Sequence, residues 1–128
     1  MISSFTMNGL LWSVREVAPD DDILIDRTGR RTVATTDYST QTVYLSKALA
    51  GDFKIKVFIH ELGHCLMQSY GLIDKIHSMT YSDCQIEMEE FICNILADYG
   101  REVYSICERT FRDDAIKLVP LYMEKLVA

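Results

Sequence analysis

Ile59-His60-Glu61-Leu62-Gly63-His64-Cys65 lies in the middle of an apolar stretch, Phe53 to Tyr70, that reads as one helix. Residues four apart sit about one turn apart on the same helical face, so the spacing puts both imidazoles side by side with Glu61 next to them. Asp52 is a suitable N-cap and Gly71 a suitable stop, which predicts a helix running to about Tyr70. Its apolar residues Phe53, Ile55, Val57, Phe58, Ile59, Leu62, Leu66 and Met67 cover most of the circumference. That pattern predicts a helix central to the domain, with His60 and His64 on a buried or cleft-lining face.

Upstream of this helix the period changes from helical to alternating. Leu10 to Val17 reads as a strand that ends at Pro19 and Asp20-Asp21-Asp22. Ile23-Leu24-Ile25 is a short apolar run before the turn signal Thr28-Gly29. Thr32 to Tyr38 and Thr42 to Leu45 are rich in β-branched and aromatic residues, and the polar residues between them make a hairpin the simplest reading. Downstream, a connection holding Asp74, His77 and Tyr81 leads to a second long helix from Ser82 or Asp83 to about Cys107. Its apolar side is expected to carry Ile86, Ile92, Ile95, Leu96, Tyr99 and Val103. Asp113 or Asp114 can cap a last helix to about Val127, broken at Pro120. The expected fold class is therefore α+β: a small antiparallel N-terminal sheet, then three main helices with the His-Glu helix central.

The 128 residues suit one domain, 1–128, and with 48% hydrophobic and 25% charged residues the composition is ordinary for a folded chain. No repeat or linker interrupts it. The net charge is −6, with acid concentrated in Asp20-Asp21-Asp22, Glu87 to Glu90 and Asp113-Asp114. Without a basic face, direct nucleic-acid binding is not expected. The N-terminus lacks the basic and apolar regions of a signal peptide and no apolar run is long enough to cross a bilayer, so a cytoplasmic protein without a membrane partner is expected. Cys65, Cys84, Cys93 and Cys107 show no C-x-x-C spacing and read as reduced core thiols, with a disulfide from Cys65 the lesser alternative.

His60 and His64 supply two of the three protein ligands that zinc hydrolases use, and Glu61 has the position of a general base. The third ligand has to come from elsewhere. In the pattern H-E-x-x-H-x-x-G-x-x-H the next positions are Gly and His, whereas this chain has Met67 and Tyr70, which excludes that solution. Glu87, Glu89 and Glu90 on the second helix remain. Glu87 shares a mostly polar row with Asn94, Asp98 and Glu102 and is expected to face solvent. Glu89 and Glu90 both lie on inward rows. Glu90 is favoured because Cys93, Ala97 and Gly100 on its row allow a close helix approach, and Glu89 stays as the alternative. Asn94, one turn beyond Glu90, can hydrogen-bond the second nitrogen of a histidine ligand. His77 reads as a solvated loop residue, and Tyr38, Tyr70 and Tyr81 are near enough in the chain to donate to an oxyanion.

With these residues in view, His60-Glu61-Leu62-Gly63-His64 followed by Glu90-x-x-Cys93-Asn94-x-Leu96-Ala97 resembles the H-E-x-x-H and E-x-x-A-N-x-F-A pattern of the ImmA/IrrE-like metallo-endopeptidases. Cys93 and Leu96 depart from the usual Ala and Phe. The similarity spans roughly residues 10 to 105, and within the group the chain is similar to the short versions carried by phages and mobile elements. It implies a minimal zincin-like domain; as a further departure from the family pattern, no helix-turn-helix segment is expected beside it. It further implies zinc (Zn2+) held by His60, His64 and Glu90, Glu61 as catalytic base, and a protein or peptide substrate such as a regulatory protein of the element. The alternative reading is a catalytically silent zinc-binding interaction protein on the same scaffold.

Overall fold

A computed structural model describes residues 4–112 of the chain. Four strands, β1 (Ser4–Met7), β2 (Leu10–Val17), β3 (Ala34–Asp37) and β4 (Thr42–Ser46), precede three helices, α1 (Gly51–Ser69), α2 (Ile73–Ser78) and α3 (Gln85–Thr110). The expected helix from Asp113 or Asp114 to Val127 lies outside the described residues.

The sheet has the order β1-β2-β4-β3 and is mixed rather than antiparallel. β1 pairs antiparallel with β2 and β3 antiparallel with β4, but β2 and β4 run parallel, from Ser13 opposite Thr42 to Val17 opposite Ser46. The reason lies in the composition of the hairpin. Thr42-Val43-Tyr44-Leu45-Ser46 is almost wholly buried, while Ala34-Thr35-Thr36-Asp37 is mostly half-buried. The more apolar strand takes the inner position beside β2 and the polar one takes the edge, which forces the chain between β2 and β3 to cross over. That crossover holds a 3-10 turn at Asp22–Leu24, where the sequence suggests only an apolar run, and a single bridge between Ile25 and Arg31.

β1 is absent from the expectations above, although its turn carries a signal. Asn8 and Gly9 have φ of 48° and 80°, the left-handed pair that a two-residue hairpin turn requires, and Asn-Gly is the dipeptide best suited to it. The core forms where the sheet meets α1: Trp12, Val14, Val43, Leu45, Leu49 and Cys65 are buried together, with Phe5 and Phe58 stacked edge to face at 6.3 Å. Trp12 Nε1 donates to Ser69 Oγ at 2.8 Å and Asn8 Nδ2 to the Ser69 carbonyl at 2.9 Å, which ties the first hairpin to the end of α1.

α1 ends as the sequence suggests. Gly71 adopts φ 65°, Leu72 N–H bonds the Met67 carbonyl at 2.8 Å and Gly71 N–H the Gln68 carbonyl at 3.2 Å, a Schellman stop. Its start differs: the cap position is Ala50, without a side-chain cap, and Asp52 falls in the first turn, where its charge still suits the helix dipole. Nor is α1 enclosed on all sides. Phe53 is 57% and Ile55 48% exposed, because the helix is covered by the sheet and α3 on some faces and open on others.

α2, a short helix, occupies what reads in the sequence as a plain connection. α3 begins after a 3-10 turn at Ser82–Cys84, close to the expected start. Its inward stripe is Glu89, Cys93 and Ala97, whereas Ile86, Ile95, Leu96, Tyr99 and Val103 on the expected apolar side are exposed. Small residues win because α1 and α3 meet closely. A Cβ added at Gly63 would lie 2.9 Å from Cys93 Sγ and 3.3 Å from Cys93 Cα. Of the four cysteines, all free, Cys65 and Cys93 are core residues but Cys84 and Cys107 are exposed. Among the described residues no helix is long and apolar enough to cross a membrane.

Candidate metal centre

His60 and His64 project from α1 toward α3 with ring centroids 5.2 Å apart. Glu90 comes from the first turns of α3 and lies across from both. Its Oε2 is 3.0 Å from His60 Nε2 and its Oε1 is 3.2 Å from His64 Nε2. Glu61 is buried beside them, with Oε2 3.8 Å from His60 Nε2. The residues favoured from periodicity are thus brought to one place, the 620 Å³ cleft between β3 and the two long helices, lined by Thr36, Tyr38, His60, Glu61, His64 and Glu90.

Glu89, the alternative third donor, points elsewhere. It is 2% exposed, and its carboxylate accepts from Arg27 Nη1 at 3.2 Å and pairs with His77 Nε2 at 2.5 Å. His77 is therefore not a solvated loop residue: it is half-buried on α2 and bound to α3. Glu87 is exposed, as expected. Asn94, also at the cleft, interacts with His60 and helps to favour its charged form.

The edge strand supplies partners that spacing does not reveal. Thr36 Oγ1 donates to Glu61 Oε1 at 2.8 Å, so one oxygen of that carboxylate is held and the other is left toward the histidines. Tyr38 Oη is 3.2 Å from His64 Nδ1, which holds the ring with Nε2 turned to Glu90. Of the three tyrosines considered, Tyr38 lines the cleft, whereas Tyr70 and Tyr81 are mostly exposed and do not line it.

Charge in the cleft is unevenly distributed. Burial raises the Glu61 carboxyl above its ordinary value, against the lowering influence of His64 and the Thr36 hydrogen bond. Hydrogen bonds from His60 and His64 hold Glu90 far below the usual carboxylate range. For His60, burial alone would lower the pKa, but the Glu90 hydrogen bond and the Glu61 and Glu90 charges outweigh it and the net shift is upward.

His60, His64 and Cys93 form a group that could hold a metal ion, their donor atoms all within 4.8 Å of one another. Two side chains, Cys93 and Glu90, therefore compete as the third donor. Tetrahedral zinc with bonds of 2.0–2.1 Å separates its ligand atoms by about 3.4 Å. The 3.0 and 3.2 Å separations of Glu90 from the two imidazoles are near that value. Cys93 is fully buried in the seam against Gly63, and burial pushes its thiol well up. Glu90 meets the histidines with a carboxylate that is 40% exposed, whereas Cys93 is fully buried, so the two candidate donors differ in their access to solvent. Comparison with family models, with curated proteins and with solved structures returns no match to this chain.

Proposed function

We propose that the protein is a zinc-dependent endopeptidase of the zincin type, belonging to the ImmA/IrrE-like group that its motifs resemble. The observation that carries this reading is the position of Glu90, which reaches from a second helix to the facing Nε2 atoms of His60 and His64, with Glu61 buried alongside. His60, His64 and Glu90 would hold the zinc. When bound, the metal lowers the pKa of a coordinated water to about 7 and polarises a carbonyl.

The chain's own residues account for the rest. Thr36 holds Glu61 Oε1, which leaves Oε2 as the atom that accepts a proton and passes it to the leaving amine. The raised pKa of Glu61 suits it to carry that proton between the two steps. Tyr38 keeps the His64 ring in place. β3 is an edge strand along the cleft, so an extended peptide can add to it by main-chain hydrogen bonds. Such binding leaves sequence preference to side-chain pockets and is consistent with a protein substrate, such as a regulator encoded by a phage or mobile element.

The test is cleavage of an unfolded protein by wild type and by Glu61→Gln, with and without chelator, together with zinc content. The expected result is equal zinc in both proteins and hydrolysis by wild type alone, abolished by the chelator. Equal hydrolysis by Glu61→Gln would remove Glu61 from the reaction. Zinc bound without hydrolysis by either protein would favour the silent binding protein.

A further inference from the structure

Glu89 has no part in the chemistry above, yet it is almost completely buried and both of its oxygens are engaged. Buried carboxylates are tolerated only when paired, and here the pairing extends to the candidate metal centre. Arg27 places Nη1 3.2 Å from Glu89 Oε1 and Nη2 3.5 Å from Glu90 Oε1. The positions of α3 that lie three and four residues from both carboxylates, Ile86 and Cys93, carry no cation, so no side chain of α3 itself bridges them. Only a cation from outside α3 can bridge them, and Arg27 has the planar fork for it.

The segment carrying Arg27 is built to present it. Asp26 Oδ1 accepts from Thr28 N–H at 2.8 Å, from Thr28 Oγ1 at 2.5 Å and from Arg30 N–H at 3.0 Å. Asp26 N–H bonds the Arg30 carbonyl at 2.8 Å, and Gly29 takes φ 84°. This turn closes the crossover beside α3. On the far side, His77 holds Glu89 Oε2 and so ties α2 to the same carboxylate.

We propose that Arg27 is a positioning residue for the metal centre: anchored by Glu89, it pairs with Glu90 Oε1 and holds the carboxylate facing the imidazoles of His60 and His64. This rests on the reading of His60, His64 and Glu90 as the zinc-binding set. Without Arg27, two neighbouring carboxylates repel each other and Glu90 is free to rotate away from the imidazoles. Partners of this kind behind a ligand are commonly worth 10–100-fold in metal affinity.

The experiment compares wild type, Arg27→Gln and Arg27→Lys. Zinc affinity is measured by competition with a chromophoric chelator, and the visible spectrum is recorded on the cobalt-substituted proteins. Arg27→Lys keeps the charge and loses the fork, so it supplies a folded comparison if Arg27→Gln does not fold. The expected result is a loss of zinc affinity of about 10-fold or more in each folded variant, with a changed cobalt spectrum. A folded variant with wild-type affinity and an unchanged spectrum would overturn the proposal and leave Arg27 as a stability residue alone. Wild type that takes up neither zinc nor cobalt would instead overturn the metal reading, and this proposal with it.

Discussion

Glu61, Glu90 and His60 share one cleft but titrate in different directions, and the consequence is a pH profile for the metal-free protein. Glu90 is lowered from 4.5, so its contribution to stability is present above 4.5 and lost as pH falls through its folded value. Asp26 and Asp37, lowered by the hydroxyls of Thr28 and Ser39, act in the same sense. His60 is raised from 6.5, and its contribution is present below 6.5 and lost as pH rises through its folded value. Glu61, raised by burial, also favours the more acidic side. The metal-free protein should therefore be most stable at mildly acidic pH and lose stability toward pH 8. Zinc should reverse the trend, because binding requires neutral imidazole and releases protons. Thermal melts from pH 4 to 8 with and without zinc would show a stabilisation that grows with pH; an increment independent of pH would argue against histidine ligation. At this scale the convergence of His60, His64 and Glu90 was legible, because i, i+4 spacing and a row of small residues are local properties. Thr36, Arg27 and the pairing of His77 with Glu89 were not, since Thr36 is 25 residues from Glu61 and Arg27 is 62 from Glu89. Nothing local marks such pairs.

At the scale of elements, the crossing of α1 and α3 sets the separation of the histidines from Glu90, and Gly63 permits it. A Cβ there meets both Cys93 Sγ at 2.9 Å and Cys93 Cα at 3.3 Å. The sulfur can be removed, but the backbone has to move. Gly63→Ala is expected to destabilise by about 1–3 kcal/mol, as overpacking does, and to weaken zinc binding by spreading the two helices. Cys93→Ala in the same chain should restore part of the stability, and a double-mutant cycle in urea checks the coupling. Additive effects would show that the two residues do not meet. The extents of α1, α3 and the β3–β4 hairpin follow from apolar period and turn residues. The facing side of α3 follows only in part: the small residues Cys93 and Ala97 mark it, but hydrophobic period also favoured Ile86, Ile95 and Tyr99, which are exposed. Burying a carboxylate on that stripe is possible only because Arg27 and His77, distant in sequence, meet it.

At the scale of the whole molecule, the parallel register of β2 against β4 is the feature that alternating period alone does not supply; it follows from β4 being the more apolar strand of its hairpin and so the inner one. It also divides the fold by the chain length each contact must close. β3 and β4 are joined by a tight turn, whereas Ser13 lies 29 residues from its partner Thr42. Closing the longer loop costs more entropy before any contact rewards it. The hairpin β3–β4 with α1 should therefore be formed in the folding transition state, and β2 should dock after it. Val43→Ala on β4 is expected to slow folding, while Val14→Ala on β2, its cross-strand partner, should mainly speed unfolding. Chevron plots followed by the fluorescence of Trp12, the chain's single tryptophan, would measure both. An equal slowing of folding by the two substitutions would place β2 in the nucleus instead. A late β2 has one further effect: the wall of the cleft that carries Thr36 and Tyr38 is assembled before the strand that completes the sheet.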